Sequence, residues 1–232
     1  SPILSKRTTI EIISEEFIAA MQPRNPILQN PFDISRPAAP KMFFGRSTEI
    51  KTMCRELCDG ERGKALILYG PRRSGKSSIC KNFLEYQVKP PFWSVFFSLQ
   101  NARQQDETTI LMQLAEKVCD EFREQLHQSI PAWHLYGDSD PQIHFRRILQ
   151  HCLAQVSGSR LVLALDEFGG ALDSYERHIL DIRFFTYWKE LMSEIPQLSL
   201  ILALPTSAHN TLISAEFSNA FSFAGPLPVL FL

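Results

Sequence analysis

Short apolar runs alternate along the chain with longer stretches whose apolar residues recur every three or four positions. The runs are Ala65–Tyr69, Trp93–Leu99, Leu161–Leu165, Leu198–Leu204 and Val229–Leu232. Several are apolar at consecutive positions, which suits strands covered on both faces. Between them, Leu111, Leu114, Val118 and Phe122 form one helical stripe, and Phe145, Ile148, Leu149, Cys152, Leu153 and Val156 form a second. Asp140 and Pro141 stand ahead of the second stripe as a cap and first-turn pair. Ile182, Phe185, Trp188, Lys189 and Met192 predict a third helix that stops before Pro196. The alternation predicts an α/β fold with a mostly parallel sheet and helices on both faces.

The first 41 residues break this pattern. Ile10, Ile13, Phe17, Ala20 and Met21 predict a leading helix over residues 1–21, with Thr8 or Thr9 as cap. Pro23, Pro26, Pro31, Pro37 and Pro40 then impose an extended connector. The predicted division is a helix and Pro-rich linker over 1–41 and one core domain over 42–232.

Composition narrows the class. With 44% apolar and 21% charged residues, the 232-residue chain can bury a core, which excludes a disordered chain, a collagen-like repeat and a disulfide-stapled miniprotein. A formal net charge of -1 supplies no global field for nucleic acid or anionic membrane. Cys54, Cys58, Cys80, Cys119 and Cys152 show no Cys-x-x-Cys and no zinc-ligand spacing, so reduced thiols and a cytoplasmic protein are expected. Residues 1–21 lack the apolar core of a signal peptide, and no apolar run reaches the roughly 18 residues of a membrane helix. The six His show no paired ligand spacing.

Candidate chemistry concentrates after the first run. Gly70-Pro71-Arg72-Arg73-Ser74-Gly75-Lys76-Ser77 matches G-x-x-x-x-G-K-[ST] at every fixed position, with a strand before it and a helix from Ser78 to Tyr86 after it. The glycines allow the backbone to bend and approach an anion. Successive N–H groups then join the positive end of the helix. Lys76 is expected on the β- and γ-phosphates and Ser77 on Mg²⁺. Lys64, Arg72, Arg73, Lys76 and Lys81 are expected to gather positive charge around the loop. At the end of the third run, Asp166 is expected in the metal shell and Glu167 as the base that polarises water. No Asn-Lys-x-Asp guanine-reading motif is present, which favours adenine.

These features resemble the AAA+ superfamily, and more closely its STAND signal-transduction and origin-recognition type ATPases. The resemblance rests on Asn30-Pro31-Phe32, Phe43-Phe44-Gly45-Arg46, Glu49-Ile50, the phosphate loop through Ser78, and Asp166-Glu167. It implies a three-layer P-loop NTPase with a five-stranded parallel sheet in the order 5-1-4-3-2. It also implies ATP or ADP with Mg²⁺, an adenine site near Phe43, Phe44, Gly45 and Arg46, and a γ-phosphate sensor at Thr206 or Ser207. From Ser207 to Leu232 there is no Arg and no Lys, and no helical lid is evident, so slow hydrolysis is expected. Arg183 is a candidate substitute charge. The implied role is an ATP-hydrolysing switch module of a larger signalling or defence protein, with self-association or neighbouring domains as partners and no membrane. The alternatives are an oligomerisation module with negligible hydrolysis and a nucleic-acid-associated loader.

Overall fold

A computed structural model of the chain describes residues 45–101, 104–127, 140–156, 158–215 and 217–231. The predicted leading helix, the Pro-rich connector, Phe43 and Phe44 lie outside the described residues. The elements in chain order are α1 (Ser47–Leu57), β1 (Ala65–Gly70), α2 (Lys76–Tyr86), β2 (Phe92–Ser98), α3 (Glu107–Leu126) and α4 (Pro141–Gln155). They continue with β3 (Arg160–Asp166), α5 (Gly169–Glu176), α6 (Ile182–Glu194), β4 (Leu198–Pro205), α7 (Thr206–Leu212) and β5 (Ala224–Pro228). The sheet runs β2-β3-β4-β1-β5, every pair parallel, which is the expected 5-1-4-3-2 order.

The strand period of two sorts apolar side chains onto two faces. Ile67, Val95, Leu163 and Leu202 join the larger core with α3, α4, α5 and α6. Leu66, Leu68, Val162, Ala164 and Ile201 face α1 and α2 in the smaller one. Ser199 is the polar exception on that second face, and its hydroxyl donates to the Leu57 carbonyl at 3.2 Å. Phe184, Phe185, Tyr187 and Trp188, dense on α6, are all buried.

Both sheet edges are protected against pairing. On β2, Gln125 of α3 occupies the backbone of Ser94, accepting from its N–H at 3.1 Å and donating to its carbonyl at 2.8 Å. The other edge corrects the sequence reading, which placed the last strand at Val229–Leu232. The strand is Ala224–Pro228, despite two prolines. Val229 N–H donates to Tyr69 at 2.7 Å. By the period of two, Gly225 and Leu227 face β1 in the same way. Pro226 and Pro228 then turn their missing N–H groups outward, where an edge strand tolerates them.

Aspartates cap three helices. Asp106 accepts from Thr109 N–H at 2.8 Å and Asp181 from Arg183 N–H at 2.9 Å. Asp140 accepts from Gln142 and Ile143 at 2.8 and 3.2 Å, with Pro141 in the first turn as expected. The Thr109 N–H holds the Asp106 carboxyl below the usual carboxylate range. A group depressed on folding contributes fully above its unfolded pKa of about 3.9 and loses that contribution as pH falls through its lower folded value. Asp106→Ala should therefore cost about 1 kcal/mol at pH 7. The gap to wild type should narrow below about pH 4. Urea denaturation at neutral pH and in mild acid measures both.

Candidate active site

Parallel α/β sheets bind ligands beyond the carboxyl ends of their strands, and here β1 and β3 deliver the candidate residues to that rim. The loop 70–77 leaves β1 and enters α2. Gly75 is the N-cap of α2 at φ 91°, a left-handed conformation that glycine adopts without penalty, and no side chain caps the helix. The first N–H groups of α2 are thus kept from a competing side-chain acceptor, as an anion site requires. Arg73 also has positive φ, at 64°. Ser74 Oγ is buried and has no hydrogen-bond partner among the described residues.

Gly70 meets a different constraint. A Cβ there would lie 2.0 Å from the Val229 carbonyl oxygen. The absent side chain admits the segment leaving β5, in addition to any ligand.

Lys76 Nζ donates to the carbonyls of Gly70 and Pro71 at 3.0 and 2.8 Å. Burial pulls its pKa below the usual lysine range, opposed by the nearby charges of Glu167 and Asp166. Lys76 and the two carboxylates thus share one electrostatic neighbourhood. Arg72 and Arg73 are exposed on the loop. Two of the cations expected there are placed elsewhere. Lys64 precedes β1, at the opposite end of that strand, and pairs with Glu56 at 3.1 Å. Lys81 sits over the Phe96 ring, 4.8 Å from its centroid.

Asp166 ends β3 and is buried, while Glu167 is exposed at φ 54°. The residues around them fix this turn. Leu99 N–H donates to the Asp166 carbonyl at 2.8 Å, and Phe168 N–H to that of Ala203 at 2.9 Å. The Phe168 ring is fully buried, edge-on to Phe185 and Phe221. Gly169 begins α5 against Pro205, whose Cδ would lie 3.1 Å from a Cβ. Sequence reasoning passed over Phe168 and Gly169. Their signal was a large aromatic and a double glycine directly after two acids.

Thr206 and Ser207 open α7. Ser207 lines a cleft of about 160 Å³ with Arg72, Glu167, Asp173 and Glu176, and Thr206 is not part of that lining. His209 on α7 stacks on Tyr69 at 3.8 Å, tying that helix to the residue before the loop. Arg183 is exposed and 3.4 Å from Asp181. Gly45 is exposed, and Arg46 is buried against protein carbonyls.

Ser77 and Asp166 offer a hydroxyl and a carboxylate, hard oxygen donors that suit Mg²⁺. Among the described residues no group of three His, Cys, Asp or Glu could form a metal cage.

The profile of one family, described as "AAA ATPase domain", matches residues 42–186, more than half of the chain. The chain belongs to the AAA ATPase domain family. That is a family of ATP-binding and ATP-hydrolysing P-loop NTPases. Among solved structures, the Walker-type ATPase of Pyrococcus abyssi aligns at TM-score 0.60 and 17% identity, covering 84% of this chain and 56% of that one. The ORC2 protein of Aeropyrum pernix, in its ADPNP-ADP complexes, aligns at 0.61 and 15%, covering 81% and 48%. The Aeropyrum pernix ORC1 protein in complex with DNA aligns at 0.56 and 12%, covering 86% and 48%. The chain spans about half the length of these solved structures, and the likeness is one of fold. No curated protein matches it.

Gly70→Ala should destabilise the protein without any nucleotide present, by about 1–3 kcal/mol, because the Val229 carbonyl must move. Chemical denaturation in nucleotide-free buffer checks this. A glycine needed for phosphate alone would leave that stability unchanged.

Proposed function

We propose that this AAA domain binds Mg-ATP at the loop 70–77 and hydrolyses it slowly, as the nucleotide-dependent module of a larger nucleic-acid-associated protein. The observation that carries the nucleotide reading is a complete phosphate loop in a left-handed Gly75 turn, with Lys76 held on the loop carbonyls and within the electrostatic influence of both carboxylates at the end of β3.

The roles follow from placement. Loop N–H groups and the start of α2 cradle the phosphates. Lys76 exchanges the Gly70 and Pro71 carbonyls for β- and γ-phosphate oxygens. Ser77 and Asp166 would hold Mg²⁺, whose chemistry is charge neutralisation on those oxygens. Glu167, exposed and turned out of the strand, orients water for in-line attack. Ser207, sharing the cleft with Glu167, is the better placed of the two sensor candidates. Phe43, Phe44 and Gly45 remain the proposed adenine side by family resemblance.

The loader reading gains on the signalling or defence reading. Two of the similar folds are ORC proteins, one of them in complex with DNA, and these support it. The exposed Arg72 and Arg73 are available to a polyanion or a second copy. No helix among the described residues is long and apolar enough to cross a membrane.

Lys76→Ala should abolish Mg-ATP binding by calorimetry; unchanged affinity would remove the site assignment. Glu167→Gln should keep binding and lower phosphate release by about 10²-fold or more. Equal release from wild type and Glu167→Gln would support the rival reading, a nucleotide-binding oligomerisation module with negligible hydrolysis. Duplex DNA anisotropy with and without ATP tests the loader role, and no binding at low salt would reject it.

A further inference from the structure

Arg46 is a buried cation, 7% exposed, one residue ahead of α1. Its Nη1 donates to Glu49 Oε1 at 2.8 Å. Its Nη2 donates to two carbonyls far apart in sequence, Ser74 at 2.8 Å and Leu230 at 2.6 Å. Burying a guanidinium is costly unless it is paired and hydrogen-bonded; Glu49 supplies the counter-charge, and the three acceptors take three of its five N–H donors.

The choice of carbonyls matters. Ser74 O belongs to the peptide that joins Ser74 to Gly75. That peptide is planar and trans, so its N–H points opposite to its C=O. Holding the Ser74 carbonyl on Arg46 therefore fixes the Gly75 N–H in the opposite direction, at the N-cap of α2. The Leu230 carbonyl ties the same guanidinium to the segment leaving β5. That segment also touches the other limb of the loop, where Val229 N–H donates to Tyr69 and the Val229 carbonyl abuts Gly70. Both limbs of the loop are thus braced on residues 229 and 230.

We infer that Arg46 is a positioning residue for nucleotide binding: through the Ser74 and Leu230 carbonyls it sets the Gly75 amide and couples phosphate in the loop to the segment leaving β5. The inference rests on the nucleotide reading above and assigns Arg46 a role through the protein backbone, whether or not it also approaches adenine. Phosphate accepting from the Gly75 N–H polarises that peptide and makes the Ser74 carbonyl on its opposite side a stronger acceptor for Arg46, which also holds Leu230. Coupling of this kind is reciprocal.

The test uses the whole chain and ADP. Calorimetry is run at a temperature where circular dichroism shows each variant folded. Arg46→Met should weaken ADP binding about tenfold or more, the loss of a charge-assisted hydrogen bond. Arg46→Lys, which keeps a charged donor, should recover part of that loss. A brace of the fold alone would lower the melting temperature of Arg46→Met and leave ADP affinity at wild-type level, which overturns the proposal. Hydrogen exchange on wild type keeps the question open to refutation if the variants do not fold. ADP should slow exchange at Val229 as well as at Gly75–Ile79. Protection confined to Gly75–Ile79 overturns the coupling while leaving the nucleotide reading intact. No protection at either place means wild type takes no ADP, and both readings fall together.

Discussion

The turn after β1 is held from two sides, and the site depends on that double grip. On one side Gly70 lies under the Val229 carbonyl, so close that a methyl group would not fit. On the other, Arg46 takes the Ser74 carbonyl and anchors it to Leu230. A loop of consecutive backbone N–H groups has no reason of its own to keep them convergent. Left alone, those dipoles repel one another and the peptides rotate. Here rotation is opposed by contacts to a chain segment that arrives more than 150 residues later, as the last strand joins β1. Preorganisation of this kind costs nothing at the moment a phosphate arrives, because the ordering was completed on folding.

The third strand solves a related problem. Consecutive residues in a strand point to opposite faces, which would part Asp166 from Glu167. The strand ends at Asp166, and Glu167 takes a positive φ. A non-glycine residue in that region carries a penalty of about 1–2 kcal/mol. Burial of the Phe168 ring among Phe185 and Phe221, with its N–H on Ala203, holds the next residue in place and offsets the strain. Asp166 stays in the protein, Glu167 faces solvent, and both remain in the field of Lys76. One dipeptide thus supplies two carboxylates in different surroundings.

Much of this was legible in the sequence because the relevant residues are neighbours there. Leu161–Leu165 is apolar at five consecutive positions, which suits a strand buried on both faces, and a phosphate loop is eight consecutive residues whose backbone holds the ligand. The Asp140-Pro141 cap was legible for the same reason. Proximity in sequence also misled. Lys64 stands six residues from Gly70, but six residues of extended chain span about 20 Å. β1 therefore carries Lys64 to the far end of the sheet. The run Val229–Leu232 looks more like a strand than Ala224–Pro228, with its glycine and two prolines. Only the knowledge that β5 is an edge makes those prolines acceptable. Val229 still donates to Tyr69 of β1 and packs in the smaller core, while its carbonyl and, by way of Arg46, that of Leu230 reach the loop, through backbone atoms that composition does not reveal.

Arg46 marks the limit of such reading. An arginine between a glycine and a helix start is ordinary, and family resemblance points it toward a base. Its partners are main-chain carbonyls 28 and 184 residues away, and a carbonyl has no letter in the sequence. Side chains that act on backbone leave no complementary residue to pair with them, so no motif betrays them. Glu49 is the single trace: an acid one helical turn on, placed to neutralise a buried cation. The pair shows that the cation is balanced where it stands. Where its remaining donors go is a property of the fold, decided by the strand order that brings β5 beside β1.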